Sequence, residues 1–396
     1  MTAEPFDPTA PLPGPPDPWA YAPTPSWRDH PPYHLTDMIA AEPAVAARII
    51  ERLSGPGAAA ELAEAIRATL VEGAPVMVTG CGTSETAAMG IVEILHEAAR
   101  SAGIGNAVIV SEQAFELGLD PLRHGLVIGV SHEGGTSATN GALRASRAAG
   151  ARTAIVTVSG QSPSGAVAEI VLETGELDQS WCHSVGYVSP MVAGAAVGAH
   201  LTGAPLDGAA VAALLAAGAD DEAGAERIAD RLGSAAHLLV IASGSDRPAG
   251  REMALKVEEA AWLPSAYRDL ETFLHGHLPA TGPETGLVLI LADRAGREER
   301  FARAKQALAA AKVIGLRAAA ILAADLDAHL DAELTPAGRL LVRDDETLPA
   351  SIAALMGTAT ALQLVTERIA RARGTNPDLI RREDDVYKRA ADAAGG

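Results

Sequence analysis

The chain has 396 residues, of which 48% are hydrophobic and only 3% aromatic, so its core must consist mainly of Ala, Val, Leu and Ile. With 50 acidic and 31 basic residues the net charge is -19, and such a surface repels nucleic acids and anionic membranes, because both require a basic patch. Two cysteines are too few for a disulfide framework or a zinc cluster. We therefore expect no metal, no cofactor, no nucleic-acid partner and no membrane partner.

The N-terminal segment differs in composition from the rest of the chain. Eleven prolines lie within residues 1–32, with Trp19, Tyr21 and Trp27 between them. Because proline fixes φ and lacks an N–H donor, this segment is predicted to be an extended arm that packs across the body or a partner subunit. It lacks the basic and apolar regions of a secretory signal. No apolar run reaches the ~18–20 residues that span a bilayer, so we expect a cytoplasmic protein.

The first half of the chain repeats a unit of short apolar strand, polar glycine-rich loop and helix. Strands are predicted over 76–79, 108–110, 126–130 and 154–158, and helices over 36–53, 58–72, 85–100 and up to residue 149. Short, fully apolar strands that alternate with helices favour a parallel sheet covered on both faces.

The same unit restarts after an alanine-rich helical segment over 206–233. Strands are predicted over 237–242, 287–291 and 318–322, and helices over 247–262 and 350–373. We therefore predict an α/β fold of two tandem lobes, each a parallel sheet flanked by helices in a flavodoxin-like three-layer sandwich. The predicted divisions are an arm over 1–33, a first lobe over 34–205, a helical linker over 206–235 and a second lobe with a C-terminal tail over 236–396.

Two loops of the first lobe have the composition of an anion site. They read Gly80-Cys81-Gly82-Thr83-Ser84 and Ser131-His132-Glu133-Gly134-Gly135-Thr136, and each follows a predicted strand and opens a predicted helix. Ligands of parallel sheets bind at the carboxyl ends of the strands. Glycines let the backbone approach an anion, and a helix start offers free N–H groups and a favourable dipole. One such loop is weak evidence, but two, about fifty residues apart, indicate a phosphate site.

These loops resemble the two phosphosugar loops of sugar isomerase (SIS) domains, typically Gly-Thr-Ser and Ser-Gln-Ser-Gly-Glu-Thr. The resemblance is strongest to the isomerase half of glucosamine-6-phosphate synthase and to related fructosamine deglycases. Residues 34–43, 254–259 and 275–276 are similar to the entry helix, the second-lobe catalytic helix and the His-Gly element of that family. The resemblance implies a homodimer and a substrate-binding set that comprises Gly82, Thr83, Ser84, Ser131, His132, Glu133, Gly134, Thr136, Ser184 and Lys256.

The second loop departs from the family pattern. His132 and Glu133 stand where the family has Gln and Ser, and Gly135 stands where it often has Glu. A carboxylate ~4 Å from a phosphate costs about 4 kcal/mol at an effective dielectric near 20. Either Glu133 turns outward, or the ligand differs from an ordinary hexose 6-phosphate, for example by carrying an amine, and we favour the second alternative.

Both ends of the chain also differ from the synthase. Thr2 stands where the synthase has its N-terminal cysteine, so we expect no glutaminase half. The tail carries Asn-Pro-Asp over 376–378 and Arg381, as the family does, but Asp385 stands where the family has its Schiff-base lysine. Lys388 is the nearby candidate for that role.

One predicted helix carries charged residues that could perform chemistry. Glu252, Lys256 and Glu259 lie at i, i+4 and i+7 and so share one face. The alternative is a solvated ion-pair face. We expect Asp246 to cap this helix and Pro248 to lie in its first turn.

The resemblance implies that Glu259 is the base that moves a proton between neighbouring sugar carbons. It also implies that His275, contributed across a dimer interface, opens the sugar ring, a task that suits an imidazole. His277 offers a second imidazole, but a metal site formed by these two histidines lacks an evident third ligand. Pro264 stops the helix between the two elements, so that both residues can return to one cleft.

Cys182 and His183 invite interpretation as a nucleophile and its base. Adjacent residues on a strand point to opposite faces, so we do not expect them to pair. The segment lies where SIS domains have a substrate-contacting loop, which makes Ser184 a candidate ligand contact.

Two classes of function remain. The first is an enzyme that forms an enediol or enaminol at Glu259, either an aldose–ketose isomerase or an amino-sugar deaminase or deglycase. The second is a non-catalytic phosphosugar sensor that acts through protein contacts. A sensor has no need of both Glu259 and His275.

Overall fold

The computed structural model describes residues 5–15 and 26–394. Trp19 and Tyr21 of the predicted arm lie outside these residues. Within them the arm has no helix or strand, and Leu12 is buried in the core of the first lobe. Leu12 N–H donates to Glu176 Oε2 at 3.0 Å, so this part of the arm packs on the body of its own chain.

The first lobe is a five-stranded parallel sheet between two layers of helices, in strand order β2-β1-β3-β4-β5. Its elements are α1 His34–Leu53, α2 Ala58–Val71, β1 Val76–Gly80, α3 Thr83–Ser101, β2 Ile109–Gln113, α4 Ala114–Leu119, β3 Leu126–Val130, α5 Ser137–Ala149, β4 Arg152–Thr157, β5 Ile170–Glu173 and α6 Val185–Thr202. Side chains of β3 are buried along its whole length, as a central parallel strand requires.

The second lobe repeats this topology, with strand order β10-β9-β8-β6-β7, again entirely parallel. Two helices precede it, α7 Gly208–Gly218 and α8 Glu222–Leu232. Its elements are β6 His237–Ile241, α9 Arg247–Ala261, β7 Ser265–Arg268, α10 Leu270–Thr272, β8 Thr285–Leu291, α11 Arg297–Ile314, β9 Arg317–Ala323, β10 Gly338–Val342, α12 Ala350–Arg373 and α13 Asp385–Ala393. The predicted α/β fold of two tandem lobes is thus confirmed.

The C-terminal helix α12 joins the lobes into one body. Along the C-terminal helix α12, Leu355 and Met356 belong to the apolar core of the first lobe, whereas Leu362 and Val365 belong to that of the second. The helices of the predicted linker divide in the same way, because α7 packs against α1 and α8 packs against β10. Among the residues described, no helix combines the length and apolarity needed to cross a bilayer.

Candidate functional site

The two predicted ligand loops are neighbours in space. β1 and β3 pair in parallel, so the loops that follow Gly80 and Val130 leave the same edge of the sheet side by side. In this strand order the connections run in opposite directions from β1 and β3, which makes the gap between them the topological switch point. Open α/β sheets bind ligands at that point.

The first loop turns tightly into α3. A Cβ on Gly80 would lie 2.5 Å from the backbone of Ser84, so only glycine allows this approach. Gly82 has φ +56 and precedes the helix, Thr83 is buried in its first turn and the Ser84 side chain remains half-buried. The loop therefore presents backbone N–H groups and one accessible hydroxyl at the start of a 19-residue helix.

The second loop is held from behind by hydrogen bonds. The carbonyl of Gly134 accepts from Asn140 Nδ2 at 3.2 Å and from Ser164 Oγ at 2.7 Å. In front, Ser131 Oγ donates to Thr136 Oγ1 at 3.3 Å. Ser131 is buried and Thr136 is exposed, so this hydroxyl pair leads from the sheet edge to the surface.

The charged row of α9 is buried between the lobes, so the alternative of a solvated ion-pair face is wrong. Lys256 is only 2% exposed, and its Nζ lies 2.5 Å from Glu259 Oε2 and 3.7 Å from Glu252 Oε1. Glu252 is fully buried and accepts a hydrogen bond from Thr86 Oγ1 of α3, three residues beyond Thr83. This contact places the charged row beside the first ligand loop.

Burial and charge act against each other in this row. Burial raises the pKa of Glu252, and the charge of Lys256 opposes that rise only in part. Burial alone would lower the pKa of Lys256, but the charges of Glu259 and Glu252 outweigh it and the pKa is raised. Lys256 therefore stays protonated and clamped, while the 24% exposed Glu259 is the carboxylate of the row that a ligand can reach.

The corresponding switch point of the second lobe is filled by its own side chains. Asp293, after β8, accepts the N–H of Ser245 at 2.9 Å, in the position where the first lobe offers a helix start to a ligand. Arg300 also lies at this point and forms a 2.7 Å ion pair with Asp293. Asp246 is the N-cap residue of α9, as predicted, but its side chain does not bond to the helix, because its Oδ2 accepts from the N–H groups of Ala292 and Asp293 instead.

His275 lies at the surface of the second lobe. It interrupts the helical turn after α10 with φ -102 and ψ 70, and its side chain is 71% exposed. Its Nε2 is 2.6 Å from Glu271 Oε1. His277 is engaged elsewhere and accepts from Arg268 Nε at 3.2 Å. Over residues 5–15 and 26–394, no group of three or more His, Cys, Asp and Glu side chains could hold a metal ion.

The tail residues have structural partners in this chain. Asp378 accepts the N–H groups of His34 and Leu35 at 2.8 and 2.9 Å and so caps α1. Arg381 stacks on Trp262 at 4.5 Å from the ring centroid. Lys388 is exposed on α13. Its candidate role as the tail lysine rests only on the resemblance.

The partner of His183 is not Cys182. The cysteine is fully buried in the core of the second lobe, and burial raises the pKa of its thiol well above the usual range. His183 Nδ1 instead lies 3.6 Å from Oδ2 of the buried Asp178, which sequence reasoning missed. Ser184 is fully buried and its N–H donates to the same carboxylate, so a direct ligand contact by its side chain stays a prediction.

A second missed group lies behind this segment. Glu42 of α1 is fully buried, and burial raises its pKa well above the ordinary range. The signal available in the sequence was a glutamate on the apolar face of a helix, at a position where the core residues Met38, Val45 and Ile49 recur with helical spacing.

The class of fold is that of tandem SIS lobes, and the solved structures that resemble the chain are of this class. The C-terminal domain of glucosamine-fructose-6-phosphate aminotransferase from Francisella tularensis superposes with a TM-score of 0.75 at 16% identity, over 89% of this chain and 99% of that one. Tagatose-6-phosphate ketose/aldose isomerase from Escherichia coli gives 0.68 at 16% identity, over 90% and 97%.

Glucosamine-6-phosphate deaminase from Thermotoga maritima gives a TM-score of 0.59 at 14% identity, over 84% of this chain and 96% of that one. No protein-family model and no curated protein sequence matches the chain. At these identities the similarity establishes the fold, and the resemblance inferred from the sequence motifs is confirmed at that level.

Proposed function

We propose that the chain is a sugar-phosphate-binding enzyme that moves a proton between neighbouring carbons of its substrate through an enediol or enaminol. The reaction is an aldose–ketose isomerisation or an amino-sugar deamination or deglycation. The observation that carries the proposal is the row of Glu252, Lys256 and Glu259 beside the first ligand loop, in which the lysine and Glu252 are buried. A fully desolvated lysine between two carboxylates is costly to maintain, and such groups cluster at functional sites.

Glu259 has the chemistry of the base. Its carboxylate is partly exposed, and Lys256 fixes one of its oxygens, which leaves the other to take a proton from the carbon next to the substrate carbonyl. The same carboxylate can return that proton to the neighbouring carbon, since one base suffices for a 1,2-shift. We propose that Ser84, Ser131 and Thr136 of the two loops bind the substrate whose carbon Glu259 deprotonates.

The test is proton exchange at the substrate carbon. Purified protein is incubated in D₂O with glucose, fructose, glucosamine and fructosamine phosphates, and deuterium incorporation at C1 or C2 is followed by NMR. Glu259→Gln keeps the shape but removes the proton acceptor, so exchange is expected to fall by roughly 10²–10⁴-fold while binding persists. The matched control is Glu258→Gln, because the neighbouring Glu258 faces away and accepts from the N–H of Ser265. Full exchange in Glu259→Gln contradicts the role of Glu259 and points to a different base such as Glu258. If the unaltered protein exchanges none of these sugars, the enzyme is contradicted and the sensor is favoured.

The exposure of His275 supports a site shared between two subunits. A ring-opening histidine that is 71% exposed in its own chain is available to complete the site of a partner. We propose a symmetric homodimer in which each His275 serves the Glu259 of the other subunit. Two inactive variants, Glu259→Gln and His275→Asn, are expected to regain about one quarter of the activity when subunits are mixed and exchanged, because half of the dimers then contain one intact site.

A mixture that stays inactive after verified subunit exchange contradicts sharing. Light scattering that shows only monomer at micromolar concentration contradicts the dimer itself. Either result leaves the role of Glu259 open to the exchange test above.

A further inference from the structure

Three side chains outside the α9 row form a compact cluster at the start of α6. His132 comes from the second ligand loop, and Asp178 and His183 come from the segment between β5 and α6. Asp178 and His132 are buried, whereas the His183 side chain is 24% exposed. The cluster thus opens to the outside through His183 alone.

Asp178 is rigidly fixed. Its Oδ1 accepts the N–H of Ser180 at 3.0 Å, and its Oδ2 accepts the N–H groups of Ser184 and Gly186 at 2.9 and 3.0 Å. The last two belong to the first turn of α6, an 18-residue helix whose N-terminus favours a negative charge. Burial would raise the pKa of Asp178, but the neighbouring His183 ring 3.6 Å away and the N–H of Ser180 outweigh it, and the pKa falls to about 2. The carboxylate is therefore ionised at every relevant pH.

The two histidines have opposite roles. His132 Nε2 accepts the N–H of Asp178 at 2.9 Å, so its proton is on Nδ1, and burial lowers its pKa to about 3. It is a neutral ring, 5.4 Å from that of His183 between centroids. Burial also lowers the pKa of His183, but the Asp178 carboxylate 3.6 Å away raises it by more. His183 is thus the member of the cluster that can carry a proton near neutral pH.

Gly186 makes room for both rings. A Cβ at this position would lie 3.0 Å from Cβ and 3.1 Å from Cγ of His183, and 3.4 Å from Cγ of His132. Alanine in a helix is favoured over glycine by about 1 kcal/mol, so the glycine serves the packing of the rings and not the helix. The cluster is therefore held by its carboxylate and by the shape of the helix start.

We propose that His183 is a second acid–base residue of the site, positioned by Asp178, which protonates the carbonyl oxygen of the substrate while Glu259 removes the proton from the adjacent carbon. The inference rests on the proposed enzymatic function. Carbon deprotonation by Glu259 shifts the C–H electron pair into a C=C bond and the carbonyl π pair onto oxygen, which takes the proton of the His183 imidazolium. The hydroxyl on the carbon that was deprotonated then gives its proton to the now neutral His183, and its O–H electron pair forms the new C=O bond. The C=C pair takes the proton held by Glu259 at the former carbonyl carbon, which restores both residues to their starting protonation states.

The surroundings of His183 fit this role. It is adjacent to the second ligand loop, since its ring centroid lies 5.4 Å from that of His132 in that loop. The preceding residue, Cys182, belongs to the same apolar core as Met253 and Val257 of α9. Lys256 is itself clamped by two carboxylates and cannot easily give up its proton. A donor aimed at the oxygen where charge develops supplies stabilisation that a base alone cannot.

The experiment uses the full-length protein and whichever of the four sugar phosphates it exchanges in D₂O. His183→Gln is expected to lower kcat by roughly 10²–10⁴-fold with KM little changed. Since the acid must be protonated, activity of the unaltered protein is expected to fall as pH rises through the raised pKa of His183, and this limb is expected to vanish in His183→Gln. Gly186→Ala, which displaces the ring but keeps it, is expected to lower kcat by on the order of 10²-fold.

The exposed His124 provides the control His124→Gln, expected to match the unaltered protein, and circular dichroism verifies folding of each variant. If His183→Gln does not fold, His183→Asn replaces it. This inference alone is overturned if Glu259→Gln abolishes exchange while His183→Gln keeps a normal kcat and a normal pH profile. No exchange by the unaltered protein overturns the proposed function and this inference with it.

Discussion

Lys256 is the residue whose removal most directly tests the electrostatic design of the site. It is buried between Glu252 and Glu259, at 3.7 Å and 2.5 Å from their nearest oxygens. Lys256→Met keeps the volume, so the cavity term is small, but it leaves Glu252 as an unpaired buried carboxylate. Breaking a buried pair costs about 3–5 kcal/mol. Because water reaches the 24% exposed Glu259, we expect the lower end of that range, about 3 kcal/mol, at pH 8.

The loss should depend on pH in a defined direction. Burial already raises the pKa of Glu252, and without the lysine it rises further. A carboxyl group whose pKa is higher in the folded than in the unfolded protein binds its proton more tightly in the folded state. The Lys256→Met variant therefore loses stability as pH rises from the unfolded pKa of Glu252 through its folded pKa. We therefore expect the loss to shrink to about 1 kcal/mol at pH 5.

Urea denaturation followed by far-UV circular dichroism at pH 5 and pH 8 measures both values. Lys312→Met is the matched control, because Lys312 is 46% exposed and its surface pair with Glu333 is worth under about 1 kcal/mol. Adding Glu252→Gln to Lys256→Met should recover about 2 kcal/mol, since it removes the orphaned charge. An equal loss at both pH values, or a loss no greater than that of the control, refutes the reasoning.

Three further outcomes are expected. Glu133→Ser should strengthen binding of a hexose 6-phosphate, measured by calorimetry, by removing a like charge from the second loop; unchanged ligand preference rejects the role given to Glu133. A thiol reagent should label the half-buried Cys81 slowly and leave the fully buried Cys182 unlabelled in the folded protein, as mass spectrometry can verify; equal labelling would be inconsistent with the fold. Asp293→Ala should destabilise the second lobe by about 2 kcal/mol in urea, because it leaves the Ser245 N–H and Arg300 without their acceptor.

The regular elements of the chain could largely be predicted from its sequence. The apolar runs of the central strands fix β1, β3, β6, β8 and β9 to within a few residues, and the predicted bounds of α12, 350–373, are those of the structure. The edge strands β5, β7 and β10 were missed. All four residues of β7, Ser-Ala-Tyr-Arg, are partly exposed. The sequence of this strand therefore has neither an apolar run nor a clear alternation of apolar and polar residues.

The part of the candidate site that could be predicted is the part fixed by the order of strands and loops along the chain. Loops after adjacent parallel strands must meet, so the two glycine-rich segments could be placed together. The burial of Lys256 could not be read from α9, because spacing alone does not distinguish a solvated face from one packed against α3. The contact between Asp178 and His183 could not be predicted, because it depends on how the loop between these two residues folds before α6. In the sequence, only Cys182 stands directly beside the histidine.

The sharing of α12 by both apolar cores has a consequence for how the chain matures. During synthesis the first lobe emerges well before residues 350–373, yet Leu355 and Met356 of that helix complete its core. Until then the apolar side chains of the first lobe that α12 covers stay exposed, so we expect the nascent chain to be a substrate for chaperones. We also expect that neither lobe folds as an independent unit, and that a chain that stops before Ala350 aggregates rather than folds into a single lobe.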